Sequence, residues 1–193
     1  QRQMCIRDRP VTIAARLYSY SRFGSNENAL YPFYIGYPYL IRGYESGDFD
    51  RNGKVRISDL MGSRTAVFNF EVRLPFTGPE KLAAVKSGFL FSDLNLFFDA
   101  GLAWSKGNKV VWSSDDRPIV PLKDGKGNVI VNPDTNLPEM GYDPNYKIPV
   151  MSAGVSLRIN LFGAMILEPY YAFPFVKTNS KSGTFGVNFT PGW

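Results

Sequence analysis

From Thr65 to Phe76 every second residue is apolar. Ala66, Phe68, Phe70, Val72, Leu74 and Phe76 share one face, while Asn69, Glu71 and Arg73 lie opposite, with Val67 the one apolar member there. A period of two predicts a β-strand with one apolar and one polar side. The pattern recurs along the chain. Val11–Ser21 sets Val11, Ile13, Ala15 and Leu17 against Thr12, Arg16 and Tyr18. Leu90–Leu102 sets Leu94, Leu96, Phe98, Ala100 and Leu102 against Asp93, Asn95 and Asp99, with Trp104 closing it. Val150–Asn160 sets Met151, Ala153, Val155, Leu157 and Ile159 against Ser152, Ser156 and Arg158. Ala164–Phe175 sets Met165, Leu167, Tyr171, Phe173 and Phe175 against Glu168 and Tyr170, with Pro169 awkward in the ladder because it has no N–H to donate. Thr184–Trp193 carries Phe185, Val187 and Phe189 on one face. Leu30–Gly36 reads as a shorter aromatic strand, weakened by Pro32. The segment 80–85 suggests half a turn of helix, and Lys123–Gly127 the tip of a small hairpin.

Such alternation also suits a soluble β-sandwich. Two features favour a transmembrane barrel. The apolar faces continue over five or six positions, enough for the roughly 9–11 residues a tilted strand needs to cross a bilayer. The opposite faces hold Arg, Glu, Asp and Asn in mid-strand, where a barrel has a polar lumen. The connections support this: long ones at 37–64 and 105–148 interleave with short ones at 77–87 and 160–163, as with long outer loops and short periplasmic turns. The fold expected is all-β: about seven antiparallel strands forming the C-terminal part of an outer-membrane β-barrel, incomplete as given.

Composition changes this picture little. Aromatic residues at 15%, 18 Gly and 14 Pro fit many strands and turns. Mean hydropathy is −0.18, which does not argue against a barrel because every second strand residue is polar. Met4-Cys5-Ile6-Arg7-Asp8 resembles the translation of a transposase-type sequencing adapter, so residues 1–9 are expected to be a scar and 10–193 the barrel portion. The chain then reads as truncated at its start. Without Arg2, Arg7, Arg9 and Asp8 the net charge falls from +5 by 2 to +3, too little to imply nucleic acid as a partner. The single cysteine, Cys5, falls in the scar, there is no histidine, and no serine has an evident base. No catalytic set is visible, and this portion is not expected to be an enzyme.

Ile41-Arg42-Gly43-Tyr44 places a cation between aromatic residues in an otherwise polar loop. Arg42 reads as a buried loop cation, with Glu71 and Asp99 on polar strand faces as its partners. A solvated loop arginine is the other reading. Asp48 to Asp59 fits a calcium-loop pattern, with Asp48, Asp50, Asn52, the carbonyl of Lys54 and Asp59 as candidate ligands and Gly53 at the sharp turn. Arg51, Lys54 and Arg56 offset its negative charge, and a turn-rich external loop is the other reading. Calcium in the 48–59 loop is the one cofactor candidate.

Taken in order, IRGY at 41–44, NFEVRLPF at 69–76, FFDAG at 97–101, SAGVSLR at 152–158, YAFPF at 171–175 and the terminal aromatic strand resemble the C-terminal part of the BamA-like outer-membrane assembly and bacterial surface-antigen family. The resemblance implies a barrel of about 16 strands, of which this chain supplies roughly the last seven. It implies a loop folded into the lumen, with Arg42, Gly43 and Tyr44 at its tip and Glu71 and Asp99 on the inner wall. Phe185, Val187, Phe189 and Trp193 resemble the terminal signal of barrel substrates, with Pro191 a departure. The implied role is insertion of outer-membrane proteins or translocation of polypeptides. Implied partners are outer-membrane lipid, unfolded outer-membrane proteins and periplasmic modules encoded upstream. A passive pore, a surface antigen and a phospholipase-linked barrel remain alternatives. The loop 48–59 lies outside the resemblance.

Overall fold

The computed structural model describes residues 11–27, 29–45, 55–78, 83–87, 91–161, 165–176 and 183–191. Residues 1–10, which hold the expected scar, lie outside these. Six long strands form one antiparallel meander: β1 (Thr12–Ser21), β2 (Arg64–Gly78), β3 (Phe91–Trp104), β4 (Val150–Leu161), β5 (Met165–Pro174) and β6 (Thr184–Pro191). Each long strand pairs with its neighbours in sequence. A two-residue strand, Val85–Lys86, joins in parallel at the end of β2 as the seventh member of the sheet. Of the half turn of helix expected at 80–85, residues 80–82 lie outside the described residues, and Val85 is extended.

The aromatic strand expected at Leu30–Gly36 shrinks to Phe33–Tyr34. It pairs with Met61–Gly62 inside the β1–β2 connection and does not join the main sheet. Pro32 cannot donate to a ladder, and the loop doubles back on itself here, so these aromatics pack within it. Between β3 and β4, Ile119–Pro121 pairs with Met140–Tyr142, and the Lys123–Val129 bridge closes the expected hairpin. Asp124 accepts from the N–H groups of Lys126 and Asn128 across its tip. Pro169 leaves its mark: the β4–β5 register runs from Ser156↔Tyr170 to Ile159↔Leu167 with no pairs between, yet without a slip. β6 continues in register through Pro191, opposite Met165.

The distribution of burial is inverted relative to a soluble domain. The alternating apolar faces are exposed, with Leu17 at 76% and Phe189 at 70%. A contiguous apolar face of this extent marks a membrane or a partner. The buried apolar cluster lies on the other side of the sheet and comes largely from connecting segments: Ile35, Leu40, Ile41, Tyr44, Val55, Leu60 and Ile148, resting on Val67, Ala103 and Val150. Val67, the apolar intruder on the polar face of β2, is fully buried there. It supplies the floor on which the loop settles. Among the described residues no helix is long and apolar enough to cross a membrane; any crossing falls to the strands.

Candidate functional site: a loop arginine on the inner wall

Register puts the polar faces in rows. Arg16 stands opposite Asn69, Asn69 opposite Asp99, and Asp99 opposite Ser152. The next row toward the other end begins with Ala14 opposite Glu71. The segment 37–45 descends onto these rows. Its turn is closed by the N–H groups of Leu40 and Ile41 donating to Tyr37 O. Gly43 has φ of +90°, and a Cβ there would sit 3.1 Å from the Cβ of Ala172 on β5. Only glycine takes that backbone conformation without strain while letting the chain lie this close to the wall.

Arg42 is thereby lowered among three carboxylates. Its Nε donates to Asp99 Oδ2 (2.8 Å) and Nη2 to Asp99 Oδ1 (2.9 Å), a forked pair that its own backbone N–H supplements at 3.1 Å. Nη2 also donates to Glu71 Oε1 (3.0 Å) and Nη1 to Glu168 Oε1 (2.9 Å). The guanidinium lies 3.6 Å above the ring of Phe97, in cation–π range. Burial works against the charge on Arg42, but Asp99, Glu168 and Glu71 outweigh it and hold the guanidinium protonated. The carboxylates have further donors. Asn69 Nδ2 donates to Asp99, Ser156 Oγ to Glu168, and Arg73 to Glu71, with Arg158 3.6 Å from Glu71. Three acids face three guanidiniums, so the cluster is internally neutral. A buried ion pair survives only with such extra hydrogen bonds.

The segment touches every long strand. On β1, Arg16 Nη2 donates to Tyr39 O (2.7 Å); on β2, Asn69 Nδ2 donates to Leu40 O (2.7 Å); β3 supplies Asp99. On β4, Met151 O accepts from Tyr44 Oη (2.7 Å). Tyr44 is fully buried, and burial pushes its phenol up to about 12. Glu168 represents β5, and on β6 Asn188 Nδ2 donates to Pro38 O (3.3 Å). A cavity of about 550 Å³ remains between segment and wall, lined by Arg16, Arg42, Arg73, Arg158, Glu71 and Glu168 among others.

The structure brings Arg42 onto Glu71 and Asp99, with Gly43 and Tyr44 in the same segment and Tyr44 bonded to Met151 O. Glu168 and Phe97 are the additions. Both sit on inner faces that strand parity already exposes, and Glu168 could have been found by asking which other inner-face carboxylate lacks a partner. Phe185, Val187 and Phe189 point to the apolar side and are exposed; Trp193 lies outside the described residues.

Of the candidate calcium ligands, Asp48, Asp50, Asn52 and Lys54 lie outside the described residues. Asp59 is fully buried and engaged: Oδ2 accepts from Arg117 Nη1 (3.0 Å) and from the N–H of Arg56 (2.9 Å). Arg117 stacks 4.4 Å above Tyr142, and the Lys147 ammonium donates to the carbonyls of Ser58 and Met61. Burial depresses Lys147 and likewise Arg56. The pair Asp59–Arg117 clasps the β1–β2 connection to the β3–β4 connection, and a cation at Asp59 would have to compete with Arg117.

The Omp85 superfamily domain matches residues 21–192. The chain belongs to the Omp85 superfamily. No curated protein and no solved structure matches it. Omp85 domains are β-barrels of the outer membrane, which accounts for the inverted burial. The exposed faces of the strands are the lipid side and the Arg42 cluster is on the lumenal side. The sheet, which is not closed into a barrel, is a part of such a barrel.

Proposed function

We propose that this Omp85 chain is the C-terminal portion of an assembly-type barrel that inserts other outer-membrane proteins or translocates polypeptides. The observation that carries the reading is the segment 37–45, drawn into the lumen and tied to all six long strands. Such a brace suits a barrel that opens a seam, because the wall must keep its curvature while a strand edge is exposed. β6 would supply one side of that seam, templating an incoming strand through its backbone groups. Phe185, Val187 and Phe189 would keep it seated in lipid.

The chemistry is mechanical: within this portion we propose no catalytic group and no cofactor requirement, with calcium at the 48–59 loop the one candidate ion. Partners would be outer-membrane lipid, unfolded barrel proteins and periplasmic modules encoded upstream. The test is reconstitution of the full-length protein in lipid vesicles with an unfolded outer-membrane protein, following its folding by gel mobility. Acceleration of client folding over empty vesicles supports the reading. No acceleration, together with steady ion conductance, would sink it in favour of a passive pore.

A further inference from the structure

The Arg42 cluster fastens the segment 37–45 to β2, β3 and β5. The terminal strand is paired with β5 along its backbone, and its lumenal face is held to the loop by a different set of groups. On β6, Asn188 Nδ2 donates to Pro38 O at 3.3 Å. One row away, Tyr170 of β5 stands directly opposite Gly186 of β6. The phenol lies across the glycine so closely that a Cβ on Gly186 would overlap the Tyr170 hydroxyl and crowd Glu45 Oε1 at 2.8 Å. That hydroxyl donates to the Glu45 carboxylate, at the far end of the same loop segment. Tyr170 is buried to 2% exposure and packs edge-on against Phe97, the ring beneath Arg42. Pro38 and Glu45 therefore grip the lumenal face of β6 from the two ends of the segment, one directly and one through a tyrosine spanning a glycine gap.

We propose that Asn188, Tyr170 and Glu45 form a latch by which the lumenal loop controls the freedom of the terminal strand, independently of the Arg42 lock. Lifting the loop at Pro38 or Glu45 frees the lumenal face of β6 and leaves its ladder with β5, while Arg42 still holds β2, β3 and β5 together. Gly186 is what makes the latch possible, since any side chain there would displace the phenol. These are positioning residues: they touch the strand, not a client. The consequence for client insertion rests on the seam reading above; the latch itself does not.

The experiment uses the full-length protein in lipid nanodiscs and compares amide hydrogen exchange in wild type, Tyr170→Phe and Asn188→Ala. Tyr170→Phe keeps the ring over Gly186 and deletes only the hydroxyl. Losing one such hydrogen bond is expected to speed exchange of the β6 amides at Thr184–Phe189 by roughly fivefold, with the amides of β3 unchanged and the melting profile little moved. Unchanged exchange in β6 for both variants would overturn the proposal. So would equal acceleration in β3 and β6, because that is general destabilisation. Client folding by the same samples separates the two ideas. Faster β6 exchange with no client folding even in wild type retains the latch and removes the seam. Faster exchange with altered client folding supports both.

Discussion

Replacing Arg42 by alanine removes four side-chain hydrogen bonds and the cation shared by Asp99, Glu71 and Glu168; the backbone N–H bond to Asp99 survives in principle but loses the loop's seat. At an effective dielectric of 20, unit charges 4 Å apart attract by about 4 kcal/mol, and three such pairs would suggest a very large effect. The sum is misleading, because burying four charged groups costs several kcal/mol each and offsets most of it. What decides the outcome is the group left behind. Asp99 is fully buried and would keep no cation, only the neutral donors Asn69 Nδ2 and the backbone N–H of residue 42. Glu168 would keep Ser156, whereas Glu71 retains Arg73. Stranding a buried charge costs roughly 3–5 kcal/mol, so Arg42→Ala should destabilise the full-length barrel by that amount, read from urea unfolding and from heat-dependent gel mobility. The double variant Arg42→Ala with Asp99→Asn should recover part of the loss, since it removes the stranded charge. The reasoning fails if Arg42→Ala melts like wild type, or if the double variant loses the sum of the two single losses.

Arg117→Ala should strand Asp59 and open the clasp between the two long connections. We expect faster proteolysis within 105–148 of the full-length protein while the strands stay protected; equal cleavage in wild type and variant would contradict the clasp. Tyr44 is raised from 10.0 to about 12 by burial, so the folded state keeps its proton where the unfolded chain has lost it. Its stabilising contribution is complete below pH 10, falls between pH 10 and about 12, and is absent above. Tyr44→Phe should flatten that part of the stability–pH profile. Calcium titration should change protease protection near residues 48–59 if the loop binds the ion, and a chelator should reverse it; no response to either removes calcium from consideration.

Much of this was readable along the chain. The period of two in Thr65–Phe76 and its counterparts assigned each side chain to a face, because successive strand residues must point to opposite sides. Glu71 and Asp99 therefore fell on the polar wall, and Phe185 and Phe189 on the apolar one, before any coordinates. The Arg-Gly-Tyr tip announced itself as a cation among aromatics with a glycine able to turn. Leu30–Gly36 has a strand-like local pattern of which Phe33–Tyr34 forms a strand, and only the doubling back of its loop decides that it pairs with Met61–Gly62 and not in the main sheet.

The rest belongs to register and loop path. Periodicity names a face but not a neighbour. Glu168 lies 126 residues from Arg42, and it becomes a partner only because β5 follows β4 in the sheet and its inner row aligns beneath the loop. Asp59 and Arg117, 58 residues apart, meet because two connections fold over the same end of the sheet. The seat of Tyr170 over Gly186 needs the two to be opposite each other, which depends on one exact pairing of β5 with β6. Contacts of this kind come from closing long loops and choosing one register among several, and these are set by the summed packing of the whole sheet and not by any local stretch.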